Sequence, residues 1–325
     1  MHIIDQPRWV PRSTYESLIE KISQSLIENP TVQSIYQVGS VRHPGISDLD
    51  LVCVFQGEGT VNTNIRQQLN EDERYILTHN LFGIHHNQLK KGFKYSFYTG
   101  YRLVDGEDMN IAKNPVDLID PEIKRQIALE FMLKMYISMY TQIAYGTIKL
   151  RAFLLEAKAI AFDLEILNLE QHPLADMVNR VNRWRNQWFD KSPSHKEIAL
   201  LFKSFFSGLE EILSTQMLEN EVYLPYEEVA ISRNIGIQPG KAFQMDHRGF
   251  SISAFMPIMS RKLLNLQNRF NTFTLKAPYS THFKGTVFEE RFLFYEQLWA
   301  KNKQSYPHFI PPTTGIRLWK PSDFS

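Results

Sequence analysis

Apolar residues recur at Leu18, Ile19, Ile22, Leu26 and Ile27, a spacing that predicts an amphipathic helix over Ser13 to Glu28. Ser13 or Thr14 can cap it, and Asn29-Pro30 stops it, because the residue before a proline is held out of helical geometry. Val32 to Val38 then reads as a short strand. Gly39 to Ile46, with Pro44-Gly45, reads as a loop, and Ser47 to Phe55 as a second strand. A loop over Gln56 to Thr60 leads to a helix from Asn62 to about Glu73. Tyr75 to Ile84 is a third strand candidate, and Phe93 to Val104 adds β character.

The pattern changes near Asp120-Pro121. From there to Leu169 it is helical, with Gly146 separating two helices. Ile148, Ala152, Leu155, Ala159, Phe162 and Ile166 step at helical intervals and predict one buried stripe. Further helices are expected over Leu174 to Phe189 and His195 to Leu218, with a break at Ser192-Pro193. Val222 to Gly240 looks irregular or β-like, Pro257 to Phe270 and Val287 to Lys301 look helical, and the proline-bearing tail after Tyr306 looks extended and surface-packed. The expectation is an α+β protein: a mixed-sheet domain over residues 1–118, then a mainly helical part over 119–325 with an irregular tail.

Composition adds little to this picture. The chain has 325 residues, 43% of them hydrophobic, enough for a sizeable core. A formal charge of +1 provides no global field for nucleic acid or a membrane surface. The single cysteine, Cys53, rules out an internal disulfide and a cysteine-based zinc cluster and suits a reducing compartment. No apolar run approaches the roughly 18 residues of a membrane span. The first residues lack the apolar stretch of a signal peptide. A soluble cytoplasmic protein without a membrane partner is expected.

The segment that carries chemistry runs from Val38 to Phe55. Asp48 and Asp50 are two apart on an expected strand, so both carboxylates project from one face, with Leu49, Leu51, Cys53 and Phe55 on the other. Adjacent carboxylates repel unless a cation or a proton sits with them, and hard oxygen ligands suit Mg2+ or Mn2+. Such pairs are also common at solvated strand ends. Gly39-Ser40, directly after the first strand, shifts the balance: glycine lets backbone approach a ligand, turn amides hold anions, and Ser40 adds a hydroxyl. Ser47 precedes the pair. Phosphate donors beside a dicarboxylate cation site are what a nucleoside triphosphate requires.

This string resembles the nucleotidyltransferase superfamily related to DNA polymerase beta, whose signature is an apolar residue, Gly-Ser or Gly-Gly, a loop, and Asp-x-Asp or Asp-x-Glu among apolar residues. The resemblance implies that Gly39 and Ser40, with Ser47, bind phosphates and that Asp48 and Asp50 bind divalent metal. The reaction implied is attack of an acceptor hydroxyl on the α-phosphate with release of pyrophosphate. It also implies a basic residue from the helical part facing the triphosphate, for which Lys149, Arg151 and Lys158 are candidates and Lys149 is selected. A small-molecule acceptor is favoured over RNA or protein. Seven residues separate Ser40 from Asp48, fewer than is usual in the family. The family's third carboxylate sits on a later strand. Tyr75 to Ile84 has none, only Thr78, His79 and Asn80, which leaves Asp105, Glu107 and Asp108 as candidates. The alternative function is a catalytically inactive nucleotide-binding or interaction protein that keeps the hairpin.

Other polar clusters read as ordinary structure. Arg180, Arg183 and Arg185 alternate with Trp184, Trp188 and Phe189, a pattern equally suited to single-stranded nucleic acid or to a half-buried helix. His79 and His85-His86 read as a polar loop edge, and Asp246-His247-Arg248 as a polar turn.

Overall fold

A computed structural model describes residues 1–111, 115–250 and 260–302, together with positions 306, 309 and 320. The chain divides into two compact units, 8–124 with 289–314, and 1–7 with 125–288 and 315–325. The units are therefore not two consecutive stretches: each takes in residues from a distant part of the chain.

After β1 (His2–Ile4), the first of these units holds α1 (Arg12–Ile27), β2 (Val32–Val38), β3 (Asp50–Phe55), α2 (Glu71–Ile76), β4 (Phe82–His85), α3 (His86–Phe93) and β5 (Arg102–Gly106). Its sheet has the order β4-β3-β2-β5. β2 is antiparallel to β3 and to β5, whereas β3 and β4 are parallel. Parallel neighbours need a crossover, and residues 56–81, including α2, supply it. Tyr36, Val38, Val52, Val54 and Ile84 cluster with Leu89 and Phe93 of α3 on one face of the sheet. Ile35, Leu51, Cys53 and Phe55 are buried on the other, where α1 packs. Burial on both faces explains why β3 reads as the unbroken apolar run Leu51 to Phe55.

Several expected elements shift. The second strand begins at Asp50 rather than Ser47, because the Ser47 amide donates back to the His43 carbonyl at 2.8 Å and closes a turn. The expected helix over Asn62 to Glu73 is a short 3-10 turn, Ile65–Gln68, followed by α2, which is started by a capping box between Asn70 and Glu73. Of the strand expected over Tyr75 to Ile84, only Phe82 onward is extended.

The other unit contains most of α4 (Pro121–Ala144), then β6 (Thr147–Lys149), α5 (Leu150–Ala157), α6 (Ile160–Ile166), α7 (Pro173–Gln187) and α8 (His195–Glu219). β1 pairs with β6 in parallel. Pro173 at the start of α7 and the Ser194–Glu197 capping box of α8 mark the helix boundaries. Of the stripe expected from Ile148 to Ile166, only Ile148 is buried: Phe162 is exposed and Ala152, Leu155, Ala159 and Ile166 are half-buried. Ile148 lies in a strand, and the helix breaks between Ala157 and Ile160, so helical phase does not run through. Phe153, Leu154, Ala157, Ile160 and Leu164 are buried instead, with the Phe153 ring 5.1 Å from that of Phe202 in α8.

A second four-stranded sheet, unforeseen beyond its first strands, joins β7 (Val229–Ser232), β8 (Ile235–Pro239), β9 (Gln244–Gly249) and β10 (Asn271–Ala277) in the order β7-β8-β10-β9. The helix expected over Pro257 to Phe270 is α9 (Ser260–Gln267), its first residues lying outside the described ones. α10 (Val287–Asn302) follows. Most of the expected extended tail also lies outside the described residues, although Phe309 is buried. The class is thus mixed, with a mixed sheet near the N-terminus and a helical region after it. Among the described residues, no helix is long and apolar enough to cross a membrane.

Candidate metal centre

The β2–β3 hairpin places the motif. Val38 pairs with Asp50, so the connecting loop leaves the sheet beside Gly39 and returns through Asp48. Gly39 has φ +70°, and its amide donates to the Thr99 carbonyl at 3.1 Å. A left-handed turn immediately after a strand favours glycine. Ser40 is exposed, and among the described residues neither its amide nor its hydroxyl has a hydrogen-bond partner.

The rest of the loop is braced from beneath. The buried Tyr15 hydroxyl of α1 accepts from the Gly45 amide at 3.0 Å and donates to the Ser47 carbonyl at 2.7 Å. Tyr75 donates to the Gly45 carbonyl at 2.6 Å, and the Arg12 guanidinium donates to the Val41 carbonyl at 3.0 Å. The Leu49 amide donates to Ile76 at 2.9 Å. Asp48 is therefore held between two fixed neighbours. Ser47 is itself buried, its hydroxyl accepting from the His43 amide at 3.3 Å, so its observed part is to shape the loop. Tyr15→Phe is expected to destabilise the protein by about 1–3 kcal/mol, since it leaves the Gly45 amide without this acceptor in a buried setting. Urea unfolding measures it. A loss under about 0.5 kcal/mol would show that the loop does not depend on this hydroxyl.

Asp48 and Asp50 are brought together, both half-buried, and a third group joins them. One oxygen each from Asp48 and Asp50 and one ring nitrogen of His79 lie within 4.8 Å of one another. His79 Nε2 is 2.7 Å from Asp50 Oδ1, and the Thr78 hydroxyl donates to Asp48 Oδ2 at 3.4 Å. The sequence pattern reads His79 as a polar loop edge rather than as a ligand. The structure puts it in the loop before β4, and the parallel register explains the meeting: Val52 pairs with Phe82, so the residues just before Phe82 come up beside Asp50.

The electrostatics follow from this packing. His79 Nδ1 is 2.6 Å from the Asn80 carbonyl, which only accepts, so Nδ1 carries a proton. A neutral ring then turns an Nε2 lone pair toward Asp50, and either a proton or a cation must occupy that contact. Burial works against a charge on the ring, but the hydrogen bond to Asp50 and the charges of Asp50 and Asp48 outweigh it, and the imidazole pKa is raised. Phe82 packs 4.6 Å from the His79 ring, and Tyr98 packs edge-on against Phe82 at 5.5 Å. Burial, then the charges of Asp50 and Asp48, push the Tyr98 phenol well above its usual range, so it stays protonated beside the pair. Two carboxylates and an imidazole in reach of one point form a donor set that fits a divalent cation.

The remaining candidates have partners of their own or belong to the other unit. Asp105 accepts from Ser23 of α1 at 2.7 Å, Glu107 accepts from Gln33 at 2.8 Å, and Asp108 accepts from Tyr36 at 3.0 Å. Lys149 ends β6 in the other unit and is exposed. In α7, Arg185 is buried and donates to the Leu154 carbonyl at 2.7 Å, and Arg180 lies over Trp184 at 5.2 Å; Trp188, just past the helix end, is buried. His85 is buried and stacked on Phe309, His86 pairs with Gln33, and Asp246 pairs with Lys276 at 2.7 Å. Comparison of the chain with family models, curated proteins and solved structures finds no match.

Proposed function

We propose that the unit built on residues 8–124 binds a nucleoside triphosphate with Mg2+ or Mn2+ and transfers a nucleotidyl group from it to a small-molecule acceptor. The observation that supports this most is the convergence of Asp48, Asp50 and His79 within 4.8 Å, on the β2–β3 connection that opens with the exposed Gly39-Ser40 corner. Asp48 and Asp50 would hold the cation, which supplies charge neutralisation at the phosphates. The Ser40 amide and hydroxyl donate to phosphate oxygens, and Gly39 presents no side chain to obstruct them. The acceptor oxygen bonds to the α-phosphorus, the bond from that phosphorus to the pyrophosphate oxygen breaks, and the acceptor proton passes to water. A net charge of +1 favours a small acceptor over RNA. The lone cysteine is buried in β3, in keeping with a reducing cytoplasmic location.

The second reading is a protein that binds the triphosphate without turning it over. It is favoured by the engagement of Asp105, Glu107 and Asp108 elsewhere, which leaves His79 where a third carboxylate was expected. Calorimetry with ATP, GTP, CTP and UTP, with and without metal, tests the binding common to both readings. Pyrophosphate release on addition of candidate acceptors separates them. Ser40→Ala is expected to weaken metal-dependent triphosphate binding only about three- to tenfold, because one hydroxyl is lost while the backbone donor remains. An unchanged affinity would remove Ser40 from the phosphate site.

A further inference from the structure

We infer that His79 is a third protein ligand of the cation held by Asp48 and Asp50, and that the site therefore takes Mn2+ and Zn2+ ahead of Mg2+. The inference rests on the cation reading above and decides which ion the site selects.

Position comes first. Nε2 of His79 and Oδ1 of Asp50 are 2.7 Å apart. Two ligands at right angles around an ion, each about 2.1 Å from it, are themselves about 3.0 Å apart. Admitting a cation asks these two groups to part by only a few tenths of an ångström. Orientation comes second. The Asn80 carbonyl holds Nδ1 at 2.6 Å and Phe82 backs the ring at 4.6 Å, so Nε2 is aimed at the carboxylates. Metal-binding histidines are set in this way, one nitrogen donating to a carbonyl while the other faces the ion. The backbone carbonyl cannot turn away, and it fixes the tautomer whose free nitrogen points inward.

Chemistry decides the ion. Mg2+ takes oxygen ligands and gives up its waters reluctantly, whereas imidazole suits borderline first-row ions. A third carboxylate would have made an all-oxygen site; a neutral imidazole lowers the site's negative charge by one and adds a nitrogen. Both changes reduce the advantage of a hard ion. Two carboxylates balance a divalent charge, and three protein ligands leave coordination positions for phosphate oxygens.

The experiment uses the full chain freed of metal, titrated calorimetrically with Mn2+, Zn2+ and Mg2+ in the absence of nucleotide. Pulsed electron paramagnetic resonance on the Mn2+ form then reads whether a nitrogen is bonded directly to the ion. The expected result is Mn2+ bound at least about 100-fold more tightly than Mg2+, with a directly bonded nitrogen. In His79→Gln the nitrogen signal disappears and Mn2+ affinity falls at least about tenfold, while Mg2+ affinity moves less than about threefold. The nitrogen signal of the unaltered protein needs no variant, so it stands even if His79→Gln folds poorly. Mn2+ bound without a coordinated nitrogen, or Mn2+ and Mg2+ bound equally, overturns the inference about His79. If Asp48→Asn still abolishes binding in that case, the carboxylate site survives. Absence of any divalent binding overturns both, and leaves His79 as the counter-ion of Asp50.

Discussion

Asp48→Asn and Asp50→Asn are each expected to weaken the proposed metal-dependent triphosphate binding at least about 100-fold, a loss of about 2.7 kcal/mol or more. The substitution keeps shape and most hydrogen bonding and removes one charge. The Asp48 carboxylate already accepts from Thr78, and Asp50 Oδ1 lies 2.7 Å from His79 Nε2, so an amide has partners to keep it in place. What it lacks is the charge that draws a divalent cation from water into a half-buried site. Binding of triphosphate without metal is expected to change far less, or even to improve, because one negative neighbour is gone. Calorimetry of each variant with and without metal reads both numbers. Equal metal-dependent affinity in Asp48→Asn and the unaltered protein would remove the phosphate-and-metal reading of this hairpin altogether.

Phe55→Ala is expected to cost about 3–5 kcal/mol of stability, a large part of what a typical domain possesses. Phe55 closes β3, pairs in register with Val32 and His85, and is fully buried. Its ring lies 5.4 Å from Phe309 and 6.3 Å from His85. Truncation leaves a cavity that the strands on either side cannot close, because β2 and β4 are fixed to β3 by their ladders. Chemical denaturation followed by fluorescence and circular dichroism gives the value. A loss under about 1 kcal/mol would mean that the site collapses around the missing ring.

The sequence was most legible where local pattern and tertiary burial agree. The strand expected over Val32 to Val38 is the strand observed, and the helix expected from Ser13 to Glu28 differs by one residue at each end. Asp48, Asp50, Gly39 and Ser40 lie around one hairpin, in which Val38 pairs with Asp50. Reasoning from pattern failed at long-range pairing. His79 reaches the carboxylates only because β4 runs parallel to β3, and no local spacing announces a parallel register. The β8–β10 pairing escaped for the same reason: two strands separated by α9 and β9 pair in parallel. The Ile148 to Ile166 stripe misled in a different way. A three-residue strand and a helix break reset the phase, and β6 is held from outside the window by its pairing with β1. Ser47 reads as a ligand by position; what no local pattern announces is its burial and the hydrogen bond that its carbonyl accepts from Tyr15, more than thirty residues earlier.

Phe309 against Phe55 also has a temporal meaning. It is synthesised roughly 250 residues after Phe55, and at about 5–20 residues per second a ribosome needs roughly 10–50 s to cover that interval. Throughout that time the nascent β2–β3 hairpin exists with one of its ring contacts still unmade. The Phe55 end of β3 is thus encoded early and covered late, and a growing chain would carry an open apolar edge that holdase chaperones are suited to cover.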